Sequence, residues 1–184
     1  MLYPLPAVMV SCGETPDEYN IITVAWTGTI STNPPMLYIS LRPKRHSYEI
    51  IKRTGEFAIN LTTEKLARIT DFNGVKSGKD INKFDTNELT AVKAEKINTV
   101  IIDESPVNIE CRVKQIMSLG SHDMFIADVV NVLADEQYID NKTGEFRLHK
   151  AGLINYSHGN YYGQGKHLGY FGYSVRKKKR KRKK

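Results

Sequence analysis

The sequence predicts a mainly β protein with short helices, folded as a closed or nearly closed barrel rather than as a doubly wound sheet. Three observations carry this. Segments rich in β-branched and aromatic residues dominate the first half of the chain. Between Ile109 and Lys114, apolar Ile109, Cys111 and Val113 alternate with polar Glu110, Arg112 and Lys114, as in a strand with one dry and one wet face. The fingerprints of nucleotide-binding parallel sheets are missing. Gly163-Gln164-Gly165 lacks the GxGxxG spacing, and Gly74 to Asp80 is one residue short of a P-loop and ends in Asp where Ser or Thr is required.

In chain order, strands are expected at Ala7 to Ser11, Asn20 to Trp26, Met36 to Leu41 and Glu56 to Leu61. Trp26 to Pro35, with its Gly, hydroxyl residues and Pro-Pro, reads as a polar loop. Ser47 is expected to N-cap a helix over Tyr48 to Arg53, and Thr62 or Thr63 to cap a second in which Leu66 and Ile69 share a face. Leu119-Gly120-Ser121 offers a turn between the strand at Ile109 and a long strand at Met124 to Leu133. Asn141 to Gly144 marks another turn before a short strand at Glu145 to Leu148. Between Gly152 and Gly172 lie six of the chain's 13 glycines, with Tyr156, Tyr161, Tyr162, Tyr170 and the adjoining Tyr173. That segment is expected to be extended and loop-like and to lie over another surface, such as that of a second subunit.

At 184 residues and 40% hydrophobic, the chain has the size of one domain with a core. The net charge of +7 suggests nucleic acid until the positive residues are located, because Arg176 to Lys184 are nine consecutive Lys or Arg and removing them leaves −2. A domain over residues 1–175 followed by a disordered basic tail at 176–184 is therefore expected. The tail is either a solvated end or a docking arm for an anionic partner. Two cysteines without CxxC or clustered histidines argue against a disulfide scaffold or a metal site. No leader-like N-terminus or ~20-residue apolar span is present, so a cytoplasmic protein with no membrane partner is expected.

Three stretches could carry chemistry. Ser40 to Tyr48, SLRPKRHSY, sets Arg42, Lys44, Arg45 and His46 between a strand end and a helix start. Cations, hydroxyls and free backbone N–H groups there suit a phosphate; the alternative is a charged surface turn. Thr27, Gly28 and Thr29 would let a flat polar ring approach the backbone closely, unless the stretch is an ordinary polar loop. Val75 to Asp80, with Lys83 beyond, is either a loop closing over a ligand or a set of solvated lysines. His122 reaches a ligand edge or caps its turn. Cys12 and Cys111 are read as small buried thiols without chemistry.

Taken together and in order, PLPAVMVSCG, NIITVAWTGTISTNPPMLYISLRP, RHSYEIIKRTGEFAINL, GVKSGKDINKF, SPVNIECRV, LGSHDMFIADVV and LINYSHGNYYGQGKHLGYFGYSV span Pro4 to Val175. This chain resembles the flavin reductase-like family with the FMN-binding split barrel, in particular its flavoredoxin-type branch. The resemblance implies a six-stranded Greek-key split β-barrel, a homodimer with FMN sites at or near the subunit interface, and non-covalent FMN. It places the phosphate on Arg42, His46, Ser47 and Tyr48, and the ribityl chain and ring beside Thr27, Gly28 and Thr29. Asn60 and Leu61 would give backbone contacts, and Ser77, Gly78 and Lys79 would cover the ring. Phe72-Asn73-Gly74 places Asn where relatives often carry Cys, so thiol chemistry proposed there in relatives does not transfer.

The function so implied is that of an FMN flavoprotein oxidoreductase moving electrons between NADH or NADPH and flavin or a downstream acceptor. The alternative is a flavoredoxin-like electron carrier without NAD(P)H activity of its own. The flavin does the redox chemistry and the chain supplies position and electronics, so no nucleophile or general acid is required. His122 and Lys79 are candidate contacts for a nicotinamide. Small-molecule or protein electron donors and acceptors are the expected partners. Binding of nucleic acid through the tail is a third reading, and would weaken steeply with salt.

Overall fold

The computed structural model describes residues 2–176. Most of the basic run, residues 177–184, lies outside them, and so does the expectation of a disordered tail. The strands are β1 (Leu5–Pro6), β2 (Val8–Cys12), β3 (Asn20–Val24), β4 (Thr27–Thr32), β5 (Pro35–Leu41), β6 (Glu56–Leu61), β7 (Ala91–Lys93), β8 (Val100–Ile102), β9 (Val107–Ser118), β10 (Asp123–Ala134), β11 (Ile154–Ser157) and β12 (Asn160–Gly163). The α-helices are α1 (His46–Thr54), α2 (Ala67–Val75) and α3 (Lys83–Thr86).

Seven strands form one antiparallel sheet in the order β3-β2-β6-β9-β10-β5-β4. Its two outer strands, β3 and β4, are consecutive in the chain and meet at the Ala25–Trp26 bend, whose Trp26 carbonyl accepts from Ser40 N–H at 2.9 Å. The sheet wraps one core: Val8, Val10 and Cys12 of β2, Ile22 and Val24 of β3, Leu37 and Ile39 of β5, Phe57 of β6 and Phe125 of β10 belong to a single buried cluster. This is the mainly β split-barrel architecture that the sequence predicts. The main sheet has seven strands rather than six, because Thr27–Thr32, expected as loop, pairs along β5. Four of its six residues, Thr27, Thr29, Ile30 and Thr32, are β-branched, and strand propensity prevails over the turn-forming Asn-Pro-Pro that follows.

All five residues of β2 are buried, although they do not form one apolar face. While Val8, Val10 and Cys12 face the barrel interior, Met9 packs outside it with Ile21, Leu66, Phe84, Leu89, Val100 and Ile102. The 3₁₀ turn at Leu66, α2, α3 and β8 thus form a second layer over β2 and β3, whereas Tyr48, Ile50 and Ile51 of α1 join the barrel core. Leu66 and Ile69 pack on that cluster together, as expected, and α3 is capped by Asn82, whose side chain accepts from the N–H groups of Phe84 and Asp85.

Several local expectations are corrected. Ser47 is not the N-cap of the first helix: Arg45 takes that position with extended φ/ψ, and Ser47 lies inside the helix, buried, accepting from Asn20 Nδ2 at 2.8 Å. The helix ends where Gly55 adopts a left-handed φ of 69° and returns its N–H to Ile51. Thr62 spends its hydroxyl on Ala7 O, and Thr63 precedes a 3₁₀ turn at Glu64–Leu66 without a side-chain cap. Glu145 to Leu148 is not a strand, because no neighbouring strand runs beside it: Phe146 makes one isolated bridge to Ile139, and Leu148–Ala151 is a 3₁₀ turn. The Gly- and Tyr-rich segment is partly ordered into the β11–β12 hairpin, which pairs with β1.

Among the described residues no helix is long and apolar enough to cross a membrane, and no group of three or more His, Cys, Asp or Glu is placed to hold a metal.

Candidate functional site

Two adjoining cavities open where β3 runs into the Ala25–Trp26 bend and β5 runs into α1. The larger, about 470 Å³, is lined on one side by Val24, Ala25, Trp26, Arg42 and His122, and on the other by Gly74 and Val75 of α2 and Tyr156 and Tyr161 of the hairpin. The smaller, about 150 Å³, shares Ile22 and Arg45 with it and lies against the start of α1. Its basic side chains come from three places: Lys44, Arg45 and His46 precede or begin α1, Lys76 follows α2, and Lys83 begins α3. Among the described residues, no carboxylate lines the smaller cavity. None of Arg42, Lys44, Arg45, Lys76, Lys79 or Lys83 makes an ion pair among the described residues. The first-turn N–H groups of the nine-residue helix α1 add further positive potential.

The smaller cavity is held in shape by a buried network. Asn20, Ser47 and Asn73 are each at most 4% exposed. Asn20 Nδ2 donates to Ser47 Oγ at 2.8 Å, and a Cβ on Gly78 would lie 2.1 Å from Asn20 Oδ1. Only glycine therefore lets the Ser77–Gly78 backbone close against Asn20 at the cavity wall. Lys83 is 3% exposed, and its Nζ donates to Ile21 O at 2.6 Å and Asn73 O at 2.8 Å. Burial, with Arg45 nearby, pulls its ammonium down to about 8. His46 sits below its ordinary range, chiefly because it is partly buried and then because Lys79 and Lys83 repel a further positive charge.

At the rim of the larger cavity the rings of Trp26 and His122 lie 4.4 Å apart between centroids, tilted by 38°. Arg42 Nε donates to His122 Nε2 at a long 3.4 Å, and Ser121 Oγ lies 3.0 Å from Nδ1. Burial and the neighbouring guanidinium keep His122 below its ordinary range, which favours the neutral ring.

The structure brings Arg42, His46, Ser47, Ser77, Gly78 and His122 to these two cavities, and Lys79 to a third of about 280 Å³ on the far side of Gly78. It places the remaining expected residues elsewhere. Thr27 Oγ1 donates to Tyr38 O at 2.6 Å and Gly28 packs on the Tyr38 ring, so β4 points these residues along its own sheet while Thr29 faces outward, and the cavity wall is formed by Ala25 and Trp26 just before them. Tyr48 is core: its hydroxyl donates to Asp123 at 2.5 Å and its ring meets Phe125 edge-on. Asn60 is fully buried and binds Met9 O, Ser11 Oγ and Ile102 N–H, and neither it nor Leu61 lines either cavity. Lys83, Asn20, Arg45, Tyr156 and Tyr161 complete the site without having been assigned to it. Arg45 lies inside, and Lys83 just beyond, stretches already singled out, whereas the two tyrosines are brought in by the long-range pairing of β11 with β1. Cys12 and Cys111 are buried free thiols, and burial pushes Cys12 up to about 12.

A molecule with a flat ring tethered to a dianionic phosphate fits this pair of cavities. The smaller offers basic side chains without a competing anion, and the larger offers aromatic and aliphatic residues beside it, with Asp71 as a carboxylate in its lining.

The comparisons with known proteins point the same way. Residues 1–163 match the flavin reductase like domain. The flavoredoxin of Desulfovibrio vulgaris (Miyazaki F) superposes with a TM-score of 0.88 at 26% identity, covering 96% of this chain and 95% of that one. A flavoredoxin from Methanosarcina acetivorans gives 0.85 at 22% identity, again covering 96% and 95%. An uncharacterized protein of Archaeoglobus fulgidus is 30% identical over 141 residues, which are 77% of this chain and 78% of that protein.

Proposed function

The chain belongs to the flavin reductase-like domain family, and on that premise we propose that it is a flavoprotein that holds FMN without a covalent bond and serves as an oxidoreductase. One observation carries the reading: a cavity lined, among the described residues, by five basic side chains and no carboxylate opens beside a larger one walled by Trp26 and by Ile22, Thr23 and Val24 of β3. When bound, FMN supplies the reversible uptake and release of electrons. In this reading Arg45, His46, Ser47, Lys76 and the Ser77–Gly78 backbone hold the phosphate, and Arg42 lines the passage toward the ring. Ala25, Trp26, Gly74 and Val75 bound the ring itself. Tyr156 and Tyr161 close the outer side and limit water there, while His122, held by Ser121 and Arg42, presents a neutral imidazole at the open edge.

NADH or NADPH is the proposed electron donor, approaching the open rim near His122, while Lys79 stands at the third cavity. A second reading, an electron carrier without NAD(P)H activity of its own, is favoured by the likeness to flavoredoxin. Anaerobic addition of NADH or NADPH to the FMN-loaded chain separates the two. Bleaching of the visible flavin band is expected for the reductase, and an unchanged spectrum that a stronger chemical reductant still bleaches supports the carrier.

The chain is further proposed to act as a homodimer. Among the described residues, Leu168 (86% exposed), Phe171 (106%) and Val175 (82%) stand bare, on a segment whose aromatic and cation contacts there are internal to it. Burying side chains of this size is worth ~1.5–3 kcal/mol each, and a second copy with the same exposed segment is the partner proposed. Sedimentation equilibrium is expected to give twice the chain mass, and a monomer at micromolar concentration would exclude the dimer.

A further inference from the structure

Lys83 is the one cation of the site that solvent hardly reaches. It is 3% exposed, it lines the smaller cavity, and no carboxylate neutralises it. An ammonium has three N–H donors. Two are taken by Ile21 O and Asn73 O, which fix Nζ between β3 and the end of α2, and the third is left for the cavity. A buried charge held only by neutral carbonyls is costly unless an anion arrives, so this arrangement is poised for one. The groups that face it are Arg45 and His46 at the start of α1, Lys44 before them, Lys76 after α2 and Cys12 on β2. Every one of them except Cys12 is basic, and the Cys12 thiol stays neutral because burial raises it. On its own helix, Asp85 is exposed and makes no ion pair with it.

Resting on the flavin reading above, we propose that Lys83 is the buried counter-charge for the phosphomonoester, that it takes a proton from solvent as the dianion enters, and that it makes the site select FMN over riboflavin. Without an anion, burial and Arg45 leave the amine titrating at about 8, so near that pH part of the population is uncharged. A dianion in the cavity favours the ammonium, and its affinity therefore falls as pH rises above about 8, by as much as tenfold per unit until Lys83 in the loaded site also loses its proton. The phosphate itself does not contribute, because its second ionisation lies near pH 6 and is complete well below this range.

The test is calorimetric titration of the flavin-free full chain at about pH 8.5 in two buffers of different ionisation enthalpy, with FMN, riboflavin and inorganic phosphate as separate ligands. Uptake of roughly 0.5–1 proton is expected with FMN and with phosphate, and none with riboflavin. Lys83→Met is expected to abolish the uptake and weaken FMN binding about tenfold or more while leaving riboflavin binding within about twofold; Lys83→Arg is expected to restore FMN binding without the uptake, since guanidinium stays charged. Absence of proton uptake in the wild-type chain overturns the proposal whether or not Lys83→Met folds, and so does uptake that persists in Lys83→Met. If FMN fails to bind while phosphate binds with uptake, the flavin reading fails and the anion site stands. If neither binds, both fall.

Discussion

Replacing Gly78 by Ala tests how the anion cavity is built. The added Cβ would lie 2.1 Å from Asn20 Oδ1, 2.6 Å from Cγ and 2.9 Å from Nδ2, against the 3.5–4.0 Å or so at which carbon contacts are comfortable. Gly78 is not among the glycines with left-handed φ, so alanine carries no backbone penalty and the whole effect comes from this contact. Either the Asn20 amide moves by more than an ångström, or the Ser77–Gly78 backbone lifts off the cavity. If the amide moves, the 2.8 Å bond to Ser47 breaks between two buried groups, at a cost of ~1–3 kcal/mol. For a chain of this length that corresponds to roughly 2–12 °C in melting temperature. If the backbone lifts, FMN loses the contacts of the Ser77–Gly78 wall, and one lost charge-assisted hydrogen bond corresponds to about tenfold or more in affinity. Thermal melts of the flavin-free chain and FMN titration by fluorescence quenching read the two effects. In an Asn20→Ala background the same substitution is expected to cost less than ~0.5 kcal/mol, because the clashing group is gone. A Gly78→Ala chain that melts and binds FMN as wild type, or that loses as much in the Asn20→Ala background, refutes the reasoning.

Arg45→Ala removes the cation shared by both cavities, and FMN affinity is expected to fall ~10–100-fold at low salt with a smaller effect at high salt; equal losses at both ionic strengths would contradict the electrostatic role. Anaerobic stopped-flow with NADH is expected to show slower flavin reduction in His122→Ala and Lys79→Ala, and unchanged kinetics would remove both residues from the donor's path. Glu110 is fully buried and its carboxylate accepts the N–H groups of Glu95 and Lys96 at 2.9 and 2.7 Å, so Glu110→Ala should cost ~1–3 kcal/mol in denaturant unfolding while leaving the FMN dissociation constant unchanged. The Tyr48 hydroxyl holds the Asp123 carboxyl below its ordinary range. A depressed carboxylate contributes stability that is present above its unfolded-state pKa and lost as pH falls through the folded one. The stability gap between wild type and Tyr48→Phe should therefore narrow on acidification below about pH 4, and a gap that widens there would show that the bond serves the protonated acid.

How far the sequence carries the fold depends on how local each signal is. The strands at Asn20 and Met36 and the shared face of Leu66 and Ile69 follow from composition and periodicity over a few residues, and they hold in three dimensions. Thr27–Thr32 reads as loop because its residues suit turns as well as strands, and the pairing along β5 decides the matter. The Gly- and Tyr-rich segment becomes a hairpin only because β1 lies more than a hundred residues away in the chain to receive it. At the site, a phosphate cradle is legible in SLRPKRHSY, since cations before a helix start need no tertiary context. The role of Ser47 is not: as a cap it would have faced solvent, but α1 begins two residues earlier than its hydroxyl suggests and turns it into the Asn20 network. Lys83 looks like one more solvated lysine in a polar loop, and only the packing of α3 against β3 and the end of α2 buries it.

The central claim is that these joined cavities hold FMN, and the visible spectrum of the purified full chain, offered excess FMN and passed through gel filtration, tests it most directly. The account predicts a yellow protein whose flavin travels with the polypeptide and is released intact on denaturation. A colourless protein peak, with all the FMN eluting separately, would contradict it.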